Sequence, residues 1–249
     1  MMTVVAGPCG AGKTSWILKE LANLETRASY VLLGADSVPI DAMRVAVDCP
    51  QVEIIPQPSE LELAKRVEAG IEIYIEVGFQ LEASFPFLQA YPHRYVGVIA
   101  EDQEDDARGW ANEVVPGNRS TLDMGSAQLW RSPLSGQVFD PPSADLFWQE
   151  LTQGAYGDIH RIKGILEMAD GRAFFMEYVK GLPDSNYVEL NLPRNLDGRP
   201  QRFSGLEIVG EGLDKGAIAS TLEGCCLSDE VLLAHQATLK QQNPSPATP

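Results

Sequence analysis

Apolar and polar positions follow one grammar from Thr3 to Ala100 and another from His160 onward. In the first stretch the apolar runs are short and nearly continuous: "TVVA" from Thr3, "SYVLLG" from Ser29, "VEIIP" from Val52, "IEIYIEVG" from Ile71 and "YVGVIA" from Tyr95. Runs of that length predict strands buried on both faces. Between the first two, "KTSWILKELANL" carries Ile17, Leu18, Leu21 and Leu24 at helical spacing. "PSELELAKRVEAG" predicts a second helix with both ends marked, since Ser59 and Glu62 form a capping-box pattern and Gly70 supplies the stop. Strands alternating with helices predict a mostly parallel α/β sheet with helices on both faces.

The pattern fades after Pro116. Residues 116–157 are rich in Gly, Pro, Ser and Asn, with "SPLSGQ" and "DPPSAD", and predict an irregular connection holding one short helix around "ADLFWQEL". Beyond it, "HRIKGILEM" and "AFFMEYV" flank Asp170-Gly171, a strong hairpin signal. "FSGLEIVG" adds a strand, and "LDKGAIASTLEGCC" a helix with Asp214 as N-cap and Ile218 and Leu222 facing inward. Hairpin, strand and helix predict a second, smaller α+β domain. The tail "QQNPSPATP" is too polar and proline-rich to pack. The expected organisation is therefore a phosphate-loop domain over 1–115, a connection over 116–157, an α+β domain over 158–241 and a disordered tail over 242–249.

The candidate chemistry is concentrated at "GPCGAGKTSW", which fits G-x-x-x-x-G-K-S/T (the Walker A pattern) with Gly7, Gly12, Lys13 and Thr14 in the required places. Glycines let successive main-chain N–H groups turn toward phosphate oxygens, and the helix that follows points its positive end at the same anion. In that arrangement Gly7, Gly10, Gly12, Lys13, Thr14 and Ser15 hold the phosphates of a nucleotide, Lys13 neutralises the outer ones, and the Thr14 hydroxyl ligates Mg²⁺. The bland alternative is a chance match at a glycine-rich turn. A strand before the loop and an amphipathic helix after it favour the site.

Composition narrows the partners. The formal charge is −16, from 19 Lys and Arg against 35 Asp and Glu, which argues against nucleic acid. No apolar run approaches the roughly 20 residues that span a bilayer, so no membrane partner is expected. "MMTVVAG" lacks the features of a signal peptide, and the expected location is cytoplasmic. The four cysteines, Cys9, Cys49, Cys225 and Cys226, have neither disulfide-framework nor zinc-ribbon spacing. His93, His160 and His235 lack metal-ligand spacing. The acidic run Glu101–Asp106 reads as a solvated helix start.

With both halves in view, the chain resembles a short, divergent CobW-type P-loop GTPase, one of the metal-chaperone relatives of the nickel-enzyme maturation GTPases. "HRIKGIL" is similar to the strand that opens the family's C-terminal domain, and "FSGLEIVGEGLDKGAIASTLEGC" to its closing strand, turn and helix. "SVPIDAMRV" echoes the segment after the second strand, with Asp41 at its acidic position. The departures are specific. The family's C-x-C-C metal motif is reduced to Cys49 in "VDCPQVE", and "LLGADSVP" lacks the usual Asn-Glu-Phe-Gly run. The guanine-reading N-K-x-D is missing, since neither "NEVV" nor "GNRS" fits.

The resemblance implies GTP and Mg²⁺ as ligands, a metalloprotein client, and a role in metal homeostasis, with weak or no intrinsic hydrolysis. Zinc or another transition metal stays open. Glu76 is the candidate catalytic acid, with Gly78 after it, where the family ends a strand in Glu to hold Mg²⁺ or position water. The alternative for Glu76 is a solvent-facing glutamate at a strand end. Two other functional readings stand beside this one: a degenerate, non-catalytic interaction protein, and an ATP-using P-loop protein, which the lost guanine motif permits.

Overall fold

The computed structural model describes residues 1–33, 40–56, 58–77, 93–103, 107, 109–119, 126–182 and 186–242. Gly78, residues 34–39 and the tail from 243 lie outside the described residues. The chain divides into two compact units, Met1–Leu122 and Asp123–Pro249.

In the first unit six strands form one sheet. They are β1 (Met2–Ala6), β2 (Ala28–Leu33), β3 (Glu53–Ile54), β4 (Glu72–Val77), β5 (His93–Ile99) and β6 (Glu113–Pro116). The order is β3-β2-β4-β1-β5-β6 and every pairing is parallel. Its described helices are α1 (Lys13–Ala22), α2 (Ile40–Asp48) and α3 (Glu60–Glu68). Ser59 caps α3 by accepting from Glu62 N–H at 3.2 Å, a contact whose loss costs about 1 kcal/mol in helices generally.

The pleat sends neighbouring residues to opposite faces, and both faces are covered. Ile17 and Leu21 of α1, with Ala42 and Val45 of α2, pack with Val5, Tyr30, Tyr74, Val96 and Val98. On the other face Leu63 of α3 packs with Val4, Val31, Ile73 and Ile75. β1 is central and wholly buried. The chain leaves β1 for β2 on one side and reaches β5 on the other, so a crevice opens at the carboxyl end of β1, where open α/β sheets bind ligands.

The second unit is an antiparallel sheet of β7 (Gln128–Pro133), β8 (Asp158–Glu167), β9 (Ala173–Val179), β10 (Asn186–Glu189) and β11 (Gly205–Glu211), ordered β10-β9-β8-β11-β7. The hairpin β8–β9 turns at Asp170-Gly171, where Gly171 has φ +82°. Helix α4 (Pro141–Thr152) presents Phe147, Trp148 and Leu151, and α5 (Lys215–Gly224) presents Ile218 and Leu222, to Ile162, Leu166, Met176, Leu206 and Ile208. Helix α6 (Asp229–Gln242) adds Leu232, packed with Val138 and Ala169. Gln236 on α6 is 2% exposed. It accepts from Gly198 N–H at 2.8 Å and donates to the Gly198 carbonyl at 3.1 Å. Glu167 is also buried and receives two hydrogen bonds from the Arg202 guanidinium, at 2.5 and 2.7 Å.

One expectation is corrected here. Residues 116–157 are not an irregular connection: the span contains the end of β6, all of β7 and all of α4. The helix around "ADLFWQEL" is a core element, capped by Asp140, which accepts from Ser143 N–H at 3.2 Å. β7 was hidden because "QLWRSP" is a half-exposed edge strand without apolar alternation. A distant partner fixes it instead. Arg131 lies opposite Glu207 on β11, and its Nε donates to Glu207 Oε2 at 2.8 Å. The same row continues with Lys163 opposite Glu207 and Glu177 opposite Lys163, so charge alternates in sign across four strands.

Candidate functional site

β1 runs directly into the loop 7–12, and α1 begins at Lys13. Gly7 has no alternative on steric grounds: a Cβ there would lie 2.3 Å from the Val98 carbonyl oxygen of β5. Gly10 and Gly12 have φ of +78° and +98°, the left-handed region that glycine enters without penalty. Gly12 is the N-cap of α1, with no side-chain cap and no acid in the first turn. Helices α3, α4 and α5, by contrast, are capped by Ser59, Asp140 and Asp214. Neither a side-chain cap nor an acid of its own first turn occupies the positive end of α1, which faces the loop as an anion site requires.

Lys13 and Thr14 are both buried. The Lys13 ammonium donates to the carbonyls of Gly7 at 2.9 Å and Pro8 at 3.1 Å, which holds the charge over the loop. Thr14 Oγ1 donates to Glu76 Oε1 at 2.9 Å. Ser15 is exposed on the first turn of α1.

Glu76 is near the carboxyl end of β4, in register with Val5 of the adjacent β1. At 4% exposure it is not a solvent-facing glutamate. Its second oxygen, Oε2, accepts from the Tyr30 hydroxyl at 2.8 Å. Burial, then the charges of Glu76 and Asp41, then the hydrogen bond to Glu76 hold the Tyr30 phenol well above its ordinary value, so it remains a donor. Asp41, in the first turn of α2, is buried and within electrostatic reach of the same group.

A hydroxyl and carboxylates, all oxygen donors, beside a glycine cradle suit a hard cation such as Mg²⁺ and the phosphates it accompanies. Three of the four cysteines are disfavoured as zinc ligands. Cys49, Cys225 and Cys226 have thiols pushed up by burial, Cys226 to about 11, which disfavours the ligating thiolate. Cys225 and Cys226 donate to the carbonyls of Ser143 and Leu222. Among the described residues no group of three or more His, Cys, Asp or Glu is arranged to hold a metal.

A second segment braces the loop. After β6 the chain passes through Gly117, where a Cβ would lie 2.9 Å from the Ala11 carbonyl oxygen and 3.0 Å from Ile99 N. Asn118 then donates twice to the loop, from N–H to the Ala11 carbonyl at 3.0 Å and from Nδ2 to the Gly10 carbonyl at 3.1 Å. "GNRS" fails as a guanine motif, yet its Asn is a loop residue that sequence reasoning missed. No local signal marks it, because both of its acceptors, Gly10 and Ala11, are far away in the sequence. Arg119 pairs with Asp102 at 3.1 Å, and both are exposed.

Residues 135–226 match the family model of the cobalamin synthesis protein cobW C-terminal domain. Over this span the C-terminal unit is similar to the CobW C-terminal domain. Two of the three stretches that carry the resemblance fall within it, "HRIKGIL" on β8 and "FSGLEIVGEGLDKGAIASTLEGC" across β11 and α5, whereas "SVPIDAMRV" lies outside the matched span. Two elements of the unit, β7 and α6, lie outside the matched span. No curated protein matches the sequence. Among solved structures, the Zn(II)-bound YjiA GTPase from E. coli aligns over 90% of this chain and 98% of its own, at 14% identity and a TM-score of 0.34. A Zn(II)-bound triple mutant of YjiA GTPase gives the same values. A likeness that loose carries no functional argument. No helix among the described residues is long and apolar enough to cross a membrane.

Proposed function

We propose that the chain binds a nucleoside triphosphate together with Mg²⁺, GTP in preference, and turns it over slowly. The observation that carries this is the buried hydrogen bond from Thr14 Oγ1 to Glu76 Oε1, which joins the end of the phosphate loop to an acid on the neighbouring strand. Gly7, Gly10 and Gly12 shape the cradle, and Lys13 moves from its loop carbonyls to the outer phosphates. Thr14 would hold Mg²⁺, with Glu76 and Asp41 offering carboxylates to the metal or its waters. When bound, the cation would neutralise charge on the transferred phosphoryl group. Ser15, though exposed, adds a hydroxyl at the same helix end.

The likeness to the CobW C-terminal domain supports GTP rather than ATP, and with it a role in metal homeostasis in which nucleotide state alters docking to a metalloprotein client. ATP is the second reading, favoured by one feature. Arg119, Ser120 and Thr121 follow Asn118, so Thr121 occupies the sequence position of the guanine-reading Asp in N-K-x-D.

Titration calorimetry of GTP and ATP with Mg²⁺, with Lys13→Ala as control, tests the proposal. GTP binding that the variant loses supports it, and ATP binding alone selects the second reading. Binding of neither nucleotide refutes both and leaves the chain a non-catalytic interaction protein. A chain that binds GTP but has no affinity for zinc or another transition metal keeps the nucleotide function and loses the metal role.

A further inference from the structure

Tyr30 belongs to no phosphate-loop motif, yet it is the largest fully buried side chain of the described residues. Its ring belongs to the apolar layer that α1 and α2 cover. A phenylalanine would fill almost the same volume without a polar atom to satisfy, and a buried hydroxyl is costly unless it is hydrogen-bonded. The hydroxyl here meets Glu76 Oε2 at 2.8 Å, while Thr14 meets Oε1 at 2.9 Å. Two hydroxyl donors from two different elements, β2 and α1, therefore fix both oxygens of one carboxylate. A carboxylate held at one oxygen can turn about its last bond, whereas one held at both cannot.

We infer that Tyr30 is a positioning residue for the metal side of this site: it locks the Glu76 carboxylate so that Oε1 stays aimed at Thr14 and the cation Thr14 would hold. The inference rests on the Mg²⁺–nucleotide reading above. It divides nucleotide affinity into two parts. The cradle and Lys13 act on the phosphates with or without metal. The contribution that Mg²⁺ adds passes through Glu76 and depends on Tyr30.

The test is the affinity for a fluorescent guanine nucleotide (mant-GDP) measured in Mg²⁺ and again in EDTA, for wild type, Tyr30→Phe, Glu76→Gln and the double variant. Tyr30→Phe is expected to lose about five- to tenfold in Mg²⁺, the worth of one well-placed hydrogen bond, and nothing in EDTA. The double variant is expected to match Glu76→Gln, because Tyr30 acts only through that carboxylate. Equal losses in Mg²⁺ and EDTA would mean that Tyr30 supports only the core, and would overturn the inference. So would additive losses in the double variant, or a Tyr30→Phe protein indistinguishable from wild type. If wild type itself binds no nucleotide in either buffer, the nucleotide reading fails and the inference goes with it. If wild type binds in a Mg²⁺-dependent way that Tyr30→Phe preserves, only the role of Tyr30 is lost.

Discussion

Asn118 reaches back 108 residues to hold the phosphate loop, its Nδ2 donating to the Gly10 carbonyl at 3.1 Å. Together with its own N–H on Ala11, it fixes two successive carbonyls of the loop from outside. A loop that must present its N–H groups to an anion gains from having its carbonyls tied elsewhere, since ordering on binding then costs less. Asn118→Ala should weaken Mg²⁺–nucleotide binding about fivefold, since an exposed bond of this kind contributes modestly. Its melting temperature should stay near that of wild type. Calorimetry beside thermal melting checks both, and an unchanged affinity would show that the brace is idle.

Gly7 makes a steeper prediction. Any side chain there brings its Cβ to 2.3 Å from the Val98 main-chain carbonyl oxygen, with no flexible atom to give way. Gly7→Ala should displace β1 from β5, cost on the order of 1–3 kcal/mol in folding free energy, and abolish nucleotide binding. Urea denaturation gives the first quantity and titration the second. A variant that binds normally would place the phosphates somewhere other than this loop.

Arg202→Ala tests the second unit. It leaves the Glu167 carboxylate, 1% exposed, without its guanidinium. Removing one partner of a buried pair typically costs about 3–5 kcal/mol. Arg202→Met combined with Glu167→Leu should recover much of that loss, because no charge is then stranded. Denaturation midpoints of the two variants decide it, and equal losses would mean that packing, not charge, sets the penalty.

Cys226 predicts a pH dependence. Burial, followed by the neighbouring Cys225, raises its thiol from 9.0 to about 11. In the folded chain it therefore keeps its proton where the unfolded chain has lost one, so its stabilising contribution is complete below pH 9 and is lost as the pH rises toward about 11. The thiolate is the reactive form. Iodoacetamide labelling followed by mass spectrometry should thus show slow modification of Cys226 at pH 8 and a rate still climbing at pH 10. A rate that levels off below pH 9 would contradict the assignment.

The parallel half of the fold was legible because strands buried on both faces must be continuous apolar runs, and "TVVA" on the wholly buried β1 is such a run. Helix α2 was not, because the apolar pattern of "IDAMRVAVD" is not the one the fold buries. Met43, Val45 and Val47 alternate as in a strand, while the residues the fold buries, Ile40, Asp41, Ala42 and Val45, do not alternate. At the site, the glycines, Lys13 and Thr14 could be read because the loop's chemistry is contiguous in sequence. Glu76 could be named as a candidate only from a strand ending in an acid. Tyr30 and Asn118 left no local trace, being a strand tyrosine and a loop asparagine whose partners are supplied entirely by the topology.

The pairing of β7 with β11 sets where the second unit can be cut. The span matched to the CobW C-terminal domain begins at residue 135, after β7 has ended at Pro133. A fragment trimmed to that span would lose the strand that covers one side of β11, "GLEIVGE", and turn an interior strand into a bare, apolar border. Unpaired borders of that kind recruit strands from other molecules, so the trimmed piece should form β-rich aggregates. A fragment extended upstream to include Gln128 and downstream through Gln242 should instead remain monomeric.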